Sequence, residues 1–389
     1  MEELLALRRH IHQHPEPSFK EFQTSQLLKA QLIQKGLSPD AITPCFEPGF
    51  YADIVGTGPA VEHGKCIAFR TELDALTTQE DNPDLPYKSE NDGVAHLCGH
   101  DGHMCIVMGT AWVLLRKRHL LPSNCKVRLL FQPAEESPPG GALPMAEAGC
   151  LEGVDEVYAF HNMNNPEGTI VCRDSTMFSQ VTIVDIKVTG KGGHGAYPHL
   201  STDCILTSAY ILTQLHSVIP RNVSCFKEAT LTICQLHSGS AHNVMPDSAW
   251  MEGTIRSYEE EVRAKVKERV KVIAEQTALA HGCTAEVKFE DRYPATINHP
   301  TNALYVRQAA ARAFGADQVV DFNPSVASED FSYFLRRCPG AMVFVGNGPS
   351  TMLHKANYCF HEPNVQRGVT LWLTLLEDRM GVHWEGTEV

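Results

Sequence analysis

Three histidines, a cysteine and an aspartate fall within nine positions of "HLCGHDGHM", residues 96–104. Cys98 and His100 are separated by one residue, close enough to bind one metal ion or two adjacent ones. Thiolate, imidazole and carboxylate donors together suit zinc or a similar first-row ion. Downstream, "QPAEES" (132–137) offers two adjacent carboxylates, Glu135 and Glu136. Successive side chains diverge at the end of a strand, so one carboxylate can bind metal while the other serves as general base towards an attacking water. That division of labour is what metal-assisted hydrolysis requires. Three more stretches carry unusual polar residues: "RTELDAL" (70–76), "HNMNNPEG" (161–168) and "MLHKANYCFHEP" (352–363). Against this stands a plainer reading. With 19 histidines in the chain, most cannot be ligands, and His10, His12, His14, His119, His199 and His281 read as surface or core residues. An adjacent glutamate pair is commonly a solvated face, and an isolated cysteine is commonly a buried thiol. Spacing alone leaves a metal site and an accidental polar loop both open.

The elements around these residues favour convergence. "KCIAFR" (65–70), "KVRLLF" (126–131), "EVYAF" (156–160) and "AMVFVG" (341–346) are short apolar runs of strand type, and "GHMCIVMGTAWVLLRKR" (102–118) is long enough to read as a buried helix. Strands alternating with helices predict an α/β fold with a mostly parallel sheet flanked by helices. Functional groups gather at the carboxyl edge of such a sheet, and each polar cluster follows one of these strands. The middle of the chain differs. Strand-like stretches at 181–190, 228–236, 248–257 and 284–290 are interleaved with helical patterns at 202–219 and 259–282. The order is βαββαβ, that of a ferredoxin-like α+β unit. We therefore expect one domain formed by residues 1–178 and 294–389, interrupted by an inserted domain over 179–293.

Composition narrows the function classes. The formal net charge is −13 over 389 residues, so phosphate repulsion disfavours nucleic acid as a partner. No apolar run approaches the ~18–20 residues of a membrane span, and "MEELLALRRHIHQHPE" reads as a charged amphipathic helix, not a signal peptide. Thirteen scattered cysteines without a CxxC pair argue against a disulfide framework and for a reducing, cytoplasmic setting.

The motifs also resemble a known family. "LRRHIHQHPEPSFKEFQTS", "RTELDAL", "CGHDGH", "FQPAEES", "GKGGHGAYPH", "NVMPDSAWMEGTIRS", "SEDFSYFL" and "LHKANYCF" occur here in order, nearly end to end. They are similar to those of the aminoacylase/glutamate-carboxypeptidase family of dinuclear metallohydrolases. Within it they resemble the amidohydrolase subgroup of hippurate hydrolases, N-acyl-amino-acid amidohydrolases and indoleacetyl-amino-acid hydrolases. The resemblance implies a metallopeptidase-type catalytic domain and an inserted domain that acts as a lid or makes a homodimer. It implies two divalent ions per subunit, Zn²⁺ or Mn²⁺ first and Co²⁺ or Ni²⁺ next, held by Cys98, His100, Glu136, His161 and His354. Glu135 would be the general base, with Glu72 and Asp74 orienting the ligands. His194 would stabilise the oxyanion, while Asn243 and Arg256 would hold a small-molecule N-acyl amino acid. The chain departs from the pattern at Lys355-Ala356 after His354, which leaves His361 as the alternative ligand. It departs also at Thr77, at Ser328 and at Pro138-Pro139. Three rivals follow from the same residues: a cysteine hydrolase using Cys98, a dipeptidase or carboxypeptidase on the same site, and a non-catalytic metal-binding protein of the same fold.

Overall fold

The computed structural model describes residues 1–348 and 350–384. The chain forms two compact units. The larger comprises Met1–Met177, Thr296–Asn323 and the chain from Asp330 onward; the smaller comprises Phe178–Ala295 and Pro324–Glu329.

The larger unit is built on a seven-stranded sheet in the order Ile42–Pro44, Phe50–Val55, Lys126–Gln132, Cys66–Glu72, Glu156–Met163, Gly340–Gly346, Ile170–Val171. The four inner strands run parallel, as the strand–helix alternation predicts. The outer pairings are antiparallel; those edge strands are short or alternate in burial, so no continuous apolar run marks them. Every residue of Cys66–Glu72 and of Gly340–Gly346 is buried, the signature of strands covered on both faces.

The helix His100–Arg116 is buried over almost its whole length. Its glycines let neighbours approach. A Cβ on Gly109 would lie 2.6 Å from a Leu4 methyl and 2.7 Å from one of Val369, and one on Gly102 would enter the Phe360 ring. The N-terminal helix Glu2–Gln13 and the C-terminal helix Pro363–Met380 therefore pack directly on it. The first turn of this helix, which carries "HDGH", is held between elements from both ends of the chain.

The smaller unit has an antiparallel four-stranded sheet in the order Ala229–Ser238, Ser248–Ser257, Gln180–Thr189, Thr284–Asp291. The helices Cys204–Leu215 and Glu260–Ala280 pack on it. Val184, Ile186, Val188, Met251, Val266 and Val270 lie in its core. The single helix expected over 202–219 is instead two, Cys204–Leu215 and Val218–Asn222. Pro220 lacks the N–H that would continue the first helix. No helix among the described residues is long and apolar enough to cross a membrane.

Candidate metal centre

The polar clusters meet where the inner strands of the larger unit end. Glu72 closes Cys66–Glu72, and Asp74 follows it; Glu135 and Glu136 follow Lys126–Gln132; His161 lies in Glu156–Met163. Gly99, at φ 93°, turns the chain into the helix that starts at His100; a side chain there would collide with Asn162 and Tyr358.

Among the described residues, overlapping groups of donor atoms result, each within 4.8 Å; they include Cys98 with His100 and His161, Cys98 with Glu136 and His354, His100 with Glu135 and Glu136, and Glu72 with His100 and His103. Cys98 Sγ lies 3.6 Å from His161 Nε2. Glu136 Oε1 lies 3.3 Å from His354 Nε2 and 3.9 Å from His100 Nε2. The ring orientations are fixed from behind. His100 Nδ1 donates to the Asp74 carbonyl at 2.9 Å, and His161 Nδ1 donates to the Asn162 carbonyl at 2.7 Å. Both rings thus turn an Nε2 lone pair towards the cluster. His100 Nε2 and Glu136 Oε1 are buried and have no hydrogen-bond partner among the described residues. Buried polar atoms are seldom left unpaired, so this donor set fits a divalent cation.

Electrostatics points the same way. Burial and the carboxylates of Glu136 and Glu135 push the Cys98 thiol well above its usual range. Burial opposes charge on His100, but the Asp74 hydrogen bond and the field of Glu72, Asp74 and Glu136 raise its pKa to about 10. His161 is driven down by burial and by its neighbours His103 and His100. These are the shifts of a water-poor, carboxylate-rich cavity that is short of positive charge. A divalent ion would reverse the shifts of Cys98 and His100, favouring thiolate and neutral imidazole, and would reinforce that of His161.

One expectation needs correction. Glu135 and Glu136 do not diverge as neighbours on a strand do; both reach the group with His100. The strand ends at Gln132, and Ala134 takes a left-handed conformation with φ 54°.

The surrounding layer is dense. Asp74 Oδ2 accepts from Ser18 Oγ at 2.7 Å and from the Glu136 backbone N–H at 2.9 Å. Glu72 is bound by Arg70 and lies 3.1 Å from His103 Nδ1. Arg70 and Gln132 both donate to Asp330, at 2.9 and 2.8 Å. His103 was not singled out from the sequence, although it lies three residues beyond His100 in "HDGH", one helical turn away. His12 is no ligand: it is buried, 2.9 Å from Asp101 and 3.1 Å from Glu80. His361 lies 3.0 Å from Glu167 and belongs to none of the donor groups, whereas His354 belongs to one.

In the smaller unit, His194 sits in a two-residue strand paired with Val244–Met245, and Gly195 N–H donates to the Asn243 carbonyl at 2.9 Å. His194 and Asn243 are therefore neighbours, and both are exposed. Arg256 lies in the four-stranded sheet, half-buried, beside a cavity of about 300 Å³ that Ser179, Thr230 and Tyr258 also line. Burial lowers its pKa.

Residues 68–378 match the model of the peptidase family M20/M25/M40, a span that takes in every donor from Glu72 to His354. The chain belongs to that family. It is a hydrolase, and the resemblance carried by the motifs is borne out. The family member is 36% identical over 373 residues to thermostable carboxypeptidase 1 of Saccharolobus solfataricus, covering 94% of this chain and 92% of that one. It is 37% identical over 347 residues to the N-acetyl-L-cysteine deacetylase of Bacillus subtilis, covering 88% and 80%. Among solved structures it is similar to a dinuclear metal-binding M20 peptidase of Bacillus subtilis, with a TM-score of 0.84, 31% identity and coverage of 98% and 99%.

Proposed function

We propose that this enzyme hydrolyses the amide bond of N-acyl amino acids or related small conjugates, using two divalent ions held by Cys98, His100, Glu136, His161 and His354. The observation that carries this reading is the pair of buried atoms His100 Nε2 and Glu136 Oε1, which face each other and make no hydrogen bond among the described residues, beside a second carboxylate, Glu135, in the same group. Cys98 is common to two donor groups, which supports two adjacent ions. Zn²⁺ or Mn²⁺ suits this mixture of sulfur, nitrogen and oxygen donors, with Co²⁺ or Ni²⁺ next.

Bound divalent ions supply Lewis acidity, polarising the scissile carbonyl and acidifying an attacking water. Glu135 takes the proton of that water and passes it to the leaving nitrogen. His194 donates to the oxyanion. Asn243 and Arg256 bind the amino-acid half; a guanidinium can hold the substrate carboxylate with two parallel hydrogen bonds. Cys98 is a poor candidate for a nucleophile, because its sulfur lies among the donors of two groups and is taken up as a ligand in this reading.

The inserted domain, taken as residues 179–293, would act as a lid or make a homodimer. Ala229–Ser238 is an edge strand of its sheet among the described residues, and Leu206 and Tyr210, one helical turn apart, are exposed on the adjoining helix. Both features support association of two copies, which sedimentation measures directly. All 13 cysteines are free thiols, in keeping with a cytoplasmic setting.

The deciding experiment strips the protein of metal, restores Zn²⁺, Mn²⁺ or Co²⁺ separately, and assays N-acetyl, N-benzoyl and indoleacetyl amino acids. Hydrolysis should vanish on stripping and return with metal. Undiminished activity in protein shown by elemental analysis to be metal-free would refute the reading. Because one relative is named a carboxypeptidase, dipeptides belong in the panel; preferential cleavage of these would make the enzyme a peptidase on the same site.

A further inference from the structure

The segment "PEPSFKEF" (15–22) contributes no proposed ligand, yet Glu16, Ser18 and Glu21 face the loops of the metal centre or the helix behind it. Glu16 accepts from Thr24 N–H at 2.8 Å and from Gln23 N–H at 3.2 Å, so it caps the helix Phe22–Gln34. Ser18 donates to Asp74. Glu21, immediately before the helix, does not cap it. Its side chain is fully buried, and Oε1 accepts from the Ala134 N–H at 2.7 Å while Oε2 has no partner among the described residues. Ala134 is the residue at φ 54°, a conformation that alanine rarely adopts. It stands between the end of the Lys126–Gln132 strand and the glutamate pair.

We propose that Glu21 is a positioning residue: by accepting the Ala134 N–H it holds Ala134 left-handed, and that turn brings both Glu135 and Glu136 to the metal centre. Had the strand continued, alternation would send one of the two carboxylates to the opposite face. Asp74 holds the far side of the same turn through Glu136 N–H. Burial and the nearby Asp74 push the Glu21 pKa up to about 8, so a neutral acid that keeps one acceptor oxygen suits the role, and glutamine can imitate it.

The inference rests on the proposed metal chemistry, and its test separates the two. Glu21→Met keeps volume but removes the acceptor; Glu21→Gln keeps the acceptor; Ala134→Gly makes positive φ accessible without help. Co²⁺ titration of metal-free protein, read by visible absorption, should show affinity weakened about 10-fold in Glu21→Met, the usual scale for a group that orients a ligand. Where hydrolysis is measured, kcat should fall by a similar factor of about 10, with KM within about twofold. Glu21→Gln should match the parent, and Glu21→Met/Ala134→Gly should recover most of the loss, which a general defect in folding would not allow. Parental Co²⁺ affinity in Glu21→Met, damage in Glu21→Gln, or no recovery in the double variant overturns the proposal. If Glu21→Met does not fold, a loss in Glu21→Gln of about 10-fold or more is by itself decisive against it. If the parent hydrolyses none of the amides, the functional reading falls while the Co²⁺ titration still decides the role of Glu21.

Discussion

The donor cluster of the larger unit and the polar residues of the smaller one are built by opposite means. Cys98, His100 and His161 are buried and the two imidazoles are each fixed by a carbonyl at the other nitrogen, while His354 remains half exposed at the rim. His194 and Asn243 lie exposed on a two-stranded ribbon, and Arg256 is half-buried. The first arrangement is ready before any ligand arrives, because its outer hydrogen bonds already hold the donor geometry. The second keeps its hydration until something displaces it, and gains strength only then. Substitutions in the cluster should therefore change metal content, while those in the smaller unit should change rates and leave metal content alone.

Glu135→Gln is the sharpest exception to look for, since it lies in the cluster but is assigned to proton transfer. It should keep its metal and lose kcat by about 10²–10⁴, whereas Glu136→Gln should lose metal. Elemental analysis beside single-turnover rates reads both, and the reverse pattern would exchange the two roles. His194→Ala should lower kcat by about 10²–10³, the scale of one lost oxyanion donor, with metal content unchanged; a drop in bound metal would break the division between the units. Mixing the inactive Glu135→Gln and His194→Ala subunits asks whether His194 serves the other copy. Activity should return if it does and stay absent if it serves its own chain. Arg256→Ala should act mainly on KM, raising it for substrates with a free carboxylate and sparing the matching amides or esters. Equal effects on both would remove the carboxylate contact.

The smallest effect tests the rigidity of the cluster's support. His12 bridges Asp101 and Glu80. Burial and Arg8 oppose its charge, but the two carboxylates outweigh them and raise its pKa to about 9. The unfolded value lies near 6.5. Since the folded pKa is the higher, the stabilisation is complete below about 6.5 and disappears as pH rises through 9. The Tm of metal-free protein should fall across that window. His12→Gln should flatten the fall, and an unchanged slope would count against the bridge.

Much of the larger unit was legible from local pattern. The apolar strands 66–72, 126–132, 156–163 and 340–346 announce themselves because both faces are buried, and the helix after "CGHDGH" is too long and too apolar to be anything else. The antiparallel edge strands were missed because they carry no such run, and the break before Pro220 was missed because the apolar pattern continues across it. The residue types of the cluster and their family were equally plain, since Cys98, His100 and the glutamate pair lie in short motifs whose order along the chain is specific.

Sequence by itself determined which groups could bind a metal, that the inner strands run parallel, and that metal-assisted hydrolysis was the chemistry to expect. Only the tertiary structure decided that His354, not His361, stands beside Glu136, that Glu135 and Glu136 turn to the same side, and that Glu21 reaches Ala134 across 113 positions. Strand and helix periodicity is written in neighbouring residues. These three outcomes depend on backbone turns and on contacts between distant segments, which no local pattern records.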